Sequence, residues 1–173
     1  MGREGCLYWD APQGSVSWEF EAPCAGYYNL ALTYCAVPLK NGDILFDILL
    51  DGELPYENAQ NVSFRRLYLD ETYLGMSENE FRKDVRGNEL RPDLIEQFDW
   101  QTRLAYDPQR EHVGPVCFYL SEGRHTLTLR LKQEAVAIDQ ITFLRAPESG
   151  SYEQTFDQWE AMGARDSSGY LGE

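Results

Sequence analysis

The chain has 173 residues, 43% hydrophobic, 25% charged and 13% aromatic, a composition that fits one packed domain and excludes disorder. Its formal charge of −14, from 29 acids against 15 bases, argues against nucleic acid and anionic membrane as partners, because every phosphate contact needs a Lys or Arg. No stretch approaches the ~20 apolar residues of a transmembrane helix, so direct membrane insertion is not expected, and Met1-Gly2-Arg3-Glu4-Gly5 lacks the apolar core of a signal peptide.

The elements follow from period-two alternation. A short first strand is read at Cys6-Leu7-Tyr8-Trp9-Asp10. In Val16-Ser17-Trp18-Glu19-Phe20-Glu21 apolar residues fall on even positions and polar ones on odd, the pattern of a strand with one buried and one wet face. Pro23 to Gly26 turns the chain, and Tyr28, Leu30, Leu32 and Tyr34 share one face of the next strand; a hairpin is expected to join the two. Ile44, Phe46, Ile48 and Leu50 mark a further strand, stopped by Asp51-Gly52, a dipeptide suited to positive φ.

Regularity is then lost. Residues 53–106 form a long loop excursion carrying Arg65, Arg66, Arg82, Arg86 and Arg91, with one strand expected where Trp100 to Tyr106 re-enters the sheet. Three more antiparallel strands follow, near residues 115–120, 125–132 and 138–144. Ser151 can cap a helix in which Tyr152, Phe156, Trp159 and Met162 recur at helical spacing before Gly163, and a linker-like run follows. The expected architecture is therefore all-β: an antiparallel β-sandwich over 1–147, with a helical tail and linker over 148–173 leading towards a following domain of the same polypeptide.

Four cysteines, Cys6, Cys24, Cys35 and Cys117, show no CxxC and no metal spacing with His112 and His125, which argues against zinc. Cys6, Cys35 and Cys117 sit in strand-like runs, so free thiols held by their neighbours are expected rather than disulfides. The chain contains no GxSxG, no P-loop and no Cys/His arrangement with an orienting third group, and His125 shares a strand face with Leu127 and Leu129, so a packed histidine is expected and an enzyme is not.

The opening Trp18-Glu19-Phe20-Glu21-Ala22-Pro23 with Ala25-Gly26-Tyr27-Tyr28-Asn29-Leu30, and the closing Leu120-Ser121-Glu122-Gly123-Arg124-His125 with Ile138-Asp139-Gln140-Ile141, resemble carbohydrate-binding modules with a galactose-binding-like jelly roll. Leu50-Asp51-Gly52-Glu53-Leu54-Pro55-Tyr56 and Arg86-Gly87-Asn88-Glu89-Leu90-Arg91-Pro92 are similar, more narrowly, to the accessory domain beside extracellular solute-binding proteins of ABC sugar importers. The resemblance implies an extracellular or cell-surface, non-catalytic domain whose partner is a carbohydrate or glycan. It also implies a structural Ca²⁺ at Asp139, although the shortened first strand leaves the partner ligand undefined, and Asp139 as a hydrogen-bonding strand-end residue is the competing expectation. No other cofactor is implied. The second reading is a structural domain that packs against its neighbours and has no ligand of its own.

A sugar site needs an aromatic face for pyranose C–H groups and planar polar side chains for paired hydroxyls. Tyr56, Arg65, Tyr68, Asn88, Arg91 and Trp100 supply those types in the excursion. The competing expectation is that Arg65, Arg66 and Arg91 pair with Glu57, Asp70, Glu89 or Asp93 to pin the loop, and that Trp100 is core.

Overall fold

Alternation translates directly into two packed sheets. The computed structural model describes residues 3–10, 14–38, 42–70, 82–107 and 114–147, so the expected helix, linker and His112 lie outside the described residues. Its strands are β1 (Leu7–Trp9), β2 (Gly14–Ala22), β3 (Gly26–Ala36), β4 (Ile44–Leu50), β5 (Val62–Phe64), β6 (Leu67–Asp70), β7 (Leu94–Gln97), β8 (Gln101–Leu104), β9 (Cys117–Leu120), β10 (Gly123–Gln133) and β11 (Val136–Arg145). One sheet runs β1-β11-β3, with β8 and β9 sharing the far side of β3; the second runs β2-β10-β4-β5; β6 and β7 form a separate ribbon. Every pairing is antiparallel.

The core lies where the inner faces meet. Leu30, Leu32 and Tyr34 of β3 face Ile44, Phe46 and Ile48 of β4 and Leu127, Leu129 and Leu131 of β10, all fully buried. Each such side chain contributes about 1.5–3 kcal/mol by leaving water, so this interlayer, and no single bond, holds the fold. Trp9, Phe46, Phe64 and Tyr34 continue it as a chain of tilted and edge-on rings 5.5–5.9 Å apart.

Two expectations change in the structure. The hairpin joining β2 to β3 does not form: β2 pairs with β10 and β3 with β11, so the chain crosses between sheets at residues 23–25. The same crossing recurs from β9 to β10 and from β10 to β11, which gives the sandwich its jelly-roll connectivity. Alternation fixes which face of a strand is buried but not which strand lies beside it; here Ala22 enters the core, Pro23 offers no N–H for a ladder, and the chain bends over residues 23–25 before β3 begins at Gly26. The second change is in the excursion, whose described residues hold four short strands, β5 to β8, and a 3-10 turn at Glu57–Ala59 where one strand, met by β8, was expected.

The Asp51-Gly52 turn forms as read. Both residues have positive φ, 54° and 84°, and Leu50 and Glu53 exchange both backbone hydrogen bonds across it. All four cysteines are free thiols. Cys35 is fully buried and donates to the Phe98 carbonyl at 3.2 Å.

Candidate ligand-binding site

The residues proposed from the sequence occupy separate places. Tyr56 precedes the 3-10 turn and lies against Phe118, ring centroids 5.7 Å apart; burial pushes its hydroxyl up to about 12. Arg65 lies between β5 and β6, where its carbonyl accepts bonds from the Tyr34 hydroxyl at 2.5 Å and Gln101 Nε2 at 2.9 Å. Trp100, beside Gln101, carries the Arg3 guanidinium 5.1 Å from its ring centroid. Tyr68 stands exposed on the ribbon opposite Glu96. Asn88 is committed to its own loop: its backbone N–H and Nδ2 both donate to Asp84, lowering that carboxyl. Arg91 is exposed in the same loop, whose flanks are tied by Arg82 to Asp93 at 2.8 Å. Arg65 and Trp100 are thus drawn together through Gln101, while Tyr56 belongs to the β9 side and Asn88 and Arg91 to the 82–93 loop.

The arginine that organises this region is Arg66. Its side chain is 1% exposed and ion-pairs with Glu134, itself 2% exposed, at 2.9 Å, and with Glu96. The remaining donors reach the carbonyls of Gly42 at 2.8 Å and Val37 at 3.2 Å. A buried guanidinium is tolerable only when its forked donors are filled and its charge is countered, and four backbone and side-chain acceptors do so here. The pairing of Arg66 with an acid was expected, but its partners come from β7 and the β10–β11 turn. An arginine between the apolar runs Val62–Phe64 and Leu67 is the signal in the sequence that marks it.

Asp139, the residue expected to hold calcium, is engaged, and so is the buried carboxylate of Asp47. Asp139 pairs with Arg3, and Asp47 takes Lys132 at 3.2 Å, Arg130 at 3.8 Å and the Asn61 N–H at 3.1 Å. Ca²⁺ asks for roughly six to eight oxygens, and among the described residues no group of three or more His, Cys, Asp or Glu side chains converges. An ion at Asp139 would have to displace the guanidinium.

His125 packs as expected, its ring 5.7 Å from that of Phe20, and it also forms a polar cluster. Nδ1 lies 2.7 Å from Asp51 Oδ2, and Nε2 lies 2.9 Å from the Ser121 carbonyl and 3.3 Å from its hydroxyl. The order Asp-His-Ser imitates a nucleophilic triad, but the carbonyl claims Nε2 as a donor. That nitrogen therefore cannot accept the serine proton, as a general base must.

A concave site opens at the edge where the sheets part. Because β1 covers β11 only as far as Ile138, the rest of β11 faces β2 across a groove of about 380 Å³. Its walls are Trp18, Phe20, Ile141 and Phe143, with Phe20 and Phe143 stacked at 4.5 Å, and its rim carries Glu19, Asp139 and Gln140. A second hollow of about 430 Å³, at Gly14, Ser15, Arg130, Leu131 and Lys132, has no aromatic wall. The sequence reading missed the groove because its halves lie at opposite ends of the chain.

No family model and no curated protein matches the chain. Among solved structures it is similar to the cycloisomaltooligosaccharide glucanotransferase of Paenibacillus sp., complexed with cycloisomaltoheptaose, at 16% identity and TM-score 0.46, over 82% of this chain and 15% of that one. It is also similar to the Podospora anserina GH26-CBM35 β-(1,4)-mannanase, at 12% identity and TM-score 0.45, over 87% of this chain and 24% of that one. The chain thus spans less than a quarter of either enzyme's length.

Proposed function

We propose that this sandwich is a non-catalytic carbohydrate-binding domain, an accessory part of an extracellular protein of the kind that stands beside sugar-importer solute-binding proteins. The groove at the open sheet edge carries the reading. Flat aromatic walls offer the C–H faces of a pyranose a surface that water does not compete for, and a rim of planar carboxylate and amide groups can take paired hydroxyls. The resemblance of the opening segments, Trp18 to Pro23 and Ala25 to Leu30, and of the closing ones, Leu120 to His125 and Ile138 to Ile141, supports the same class. The −14 charge and the acids on the rim favour a neutral sugar over an acidic one.

A second reading, an interaction domain without a ligand, draws support from the exposed Leu90, Leu94 and Ile95 on and beside the ribbon. A glycan array probed with the intact chain separates the two. Binding confined to neutral glycans, and lost in Trp18→Leu, supports the groove; an array with no neutral signal leaves the interaction domain.

A further inference from the structure

Most of the outer face of the sheet that holds β3 is closed. Asn29, Ala31, Cys35 and Ala137 are buried there; the Asn29 amide donates to the Val116 carbonyl at 3.1 Å, Cys35 donates to that of Phe98, and Arg3 bridges Asp139 and the Trp100 ring. One corner stays open among the described residues. Tyr27 and Tyr119, directly paired across β3 and β9, are 61% and 62% exposed with their rings edge-on at 5.4 Å, and Leu144, opposite Asn29 on β11, is 48% exposed. Single exposed apolar residues are ordinary, but two aromatic rings and a leucine on three adjacent strands make a contiguous patch, which marks a contact site.

The chain leaves the described residues at this same corner. The Ala146 N–H donates to the Tyr27 carbonyl at 2.8 Å, which carries the strand end beside the tyrosine, and Pro147 has no N–H with which to extend the ladder. That bond lies on the β3 side of β11, whereas the groove opens along the other edge. Beyond Pro147 comes the segment whose Tyr152, Phe156, Trp159 and Met162 recur at helical spacing, with Glu153, Asp157 and Glu160 spaced away from that stripe. A lone helix of about 13 residues is marginal in water, so one over 151–163 needs a surface on which to bury its apolar stripe. Reach selects the surface. From Pro147 to Ser151 the chain spans at most about 14 Å, and the ribbon with exposed Leu90, Leu94 and Ile95 is tied by Arg66 to Val37, at the far end of β3, roughly 33 Å away.

We infer that residues 151–163 of the same chain dock as an amphipathic helix on the corner formed by Tyr27, Tyr119 and Leu144. Such a helix is about 20 Å long, enough to cross β11, β3 and β9, whose axes span about 10 Å. Tyr152, Phe156 and Trp159 meet the two exposed rings, where aromatic pairs gain from edge-on contact beyond the area they bury. The acidic side stays in water. Docking there leaves the groove open and fixes where the polypeptide past residue 163 departs from the sandwich, so the contact does not depend on what the groove binds.

Hydrogen exchange read by mass spectrometry on the intact chain tests the contact. Peptides over 152–162 are expected to exchange more slowly than a free segment of that sequence, and about tenfold faster than in the parent when Tyr27→Ala and Tyr119→Ala are combined, while peptides from β4 and β10 keep their rates. Trp159 emission, taken as the difference between the parent and Trp159→Phe, is expected to shift to the red in the same tyrosine variant. Exchange at the free rate in the parent would overturn the contact. So would protection that survives both tyrosine substitutions; its loss in Trp18→Leu would put the segment in the groove instead. Protection that falls on dilution, with a dimer in sedimentation, would also overturn it by making the corner a contact between copies.

Discussion

His125 holds the Asp51-Gly52 turn through a bond of 2.7 Å between its Nδ1 and Asp51 Oδ2, while the other Asp51 oxygen accepts the Thr126 N–H at 2.8 Å. Asp51 and the Ser121 carbonyl raise the imidazole above its usual 6.5, and the bond from His125, with that from Thr126, lowers Asp51 below its usual 3.8. The histidine's contribution is complete below about 6.5 and is lost as pH rises through its higher folded value. The aspartate's is complete above about 3.8 and is lost as pH falls through its lower folded value. The pair is therefore at full strength between those limits. With Asp51 half in solvent, it is worth roughly 1 kcal/mol or less. Melting curves from pH 3 to 9 should show His125→Gln losing most, relative to the parent, at about pH 4–6.5 and converging with it at both extremes. A constant offset across that range would show that the pair does not titrate as described.

Removing Arg66 strands Glu134, a buried carboxylate on a residue with φ of 66°, a conformation L residues avoid. Arg66→Met should cost about 3–5 kcal/mol in urea unfolding, because an uncompensated charge remains inside. The double change Arg66→Met with Glu134→Gln should recover part of that loss. A double variant no more stable than the single one would show that shape, and not charge, governs the site.

The buried Trp100 Nε1–H has no acceptor among the described residues. An unmet buried donor costs roughly 1–3 kcal/mol, so Trp100→Phe, which keeps a ring under Arg3 and deletes the donor, should leave the melting temperature equal or higher. Trp100→Ala should lower it through lost packing. A fall in Trp100→Phe as large as in Trp100→Ala would reveal an acceptor for the indole.

In the 82–93 loop, Asn88 gives its side-chain donor to Asp84 and Arg91 stands in solvent. Asn88→Ala should speed amide exchange at Arg86 and Asn88 without moving the global unfolding free energy by more than about 1 kcal/mol, because the bond it removes lies within an exposed loop and none of it reaches the core. Arg91→Ala should leave both unchanged. Global destabilisation by Asn88→Ala would mean that the loop unfolds together with the sandwich.

The long strands were legible because each buries one face against a continuous core: Trp18 and Phe20 on β2, or Leu127, Leu129 and Leu131 on β10, repeat at the strand's own period. Strand β8 falls within the re-entry expected at Trp100 to Tyr106, whereas β5 to β7 were not legible, since three or four residues hold no period. What keeps Val62–Phe64 and Leu67–Asp70 in place is tertiary, the bonds of Arg66 to Val37, Gly42, Glu96 and Glu134. The site was the least legible part. Trp18 and Phe143 read as core residues in their strands, and only the short β1, which leaves most of the β11 edge uncovered, turns them into the walls of a groove. The aromatic and arginine types chosen from the excursion were chemically apt, but sequence proximity did not bring them together.

Isothermal titration calorimetry of the intact chain with a neutral oligosaccharide chosen from the array tests the carbohydrate-binding reading most directly, set beside Trp18→Leu and Phe143→Leu. Leucine keeps the apolar contact beneath the groove and removes the flat ring, so the account expects folded variants whose affinity falls by about 1–3 kcal/mol, or below detection. Parent protein that gives no heat with any neutral oligosaccharide, or leucine variants that bind as tightly as the parent, would contradict it.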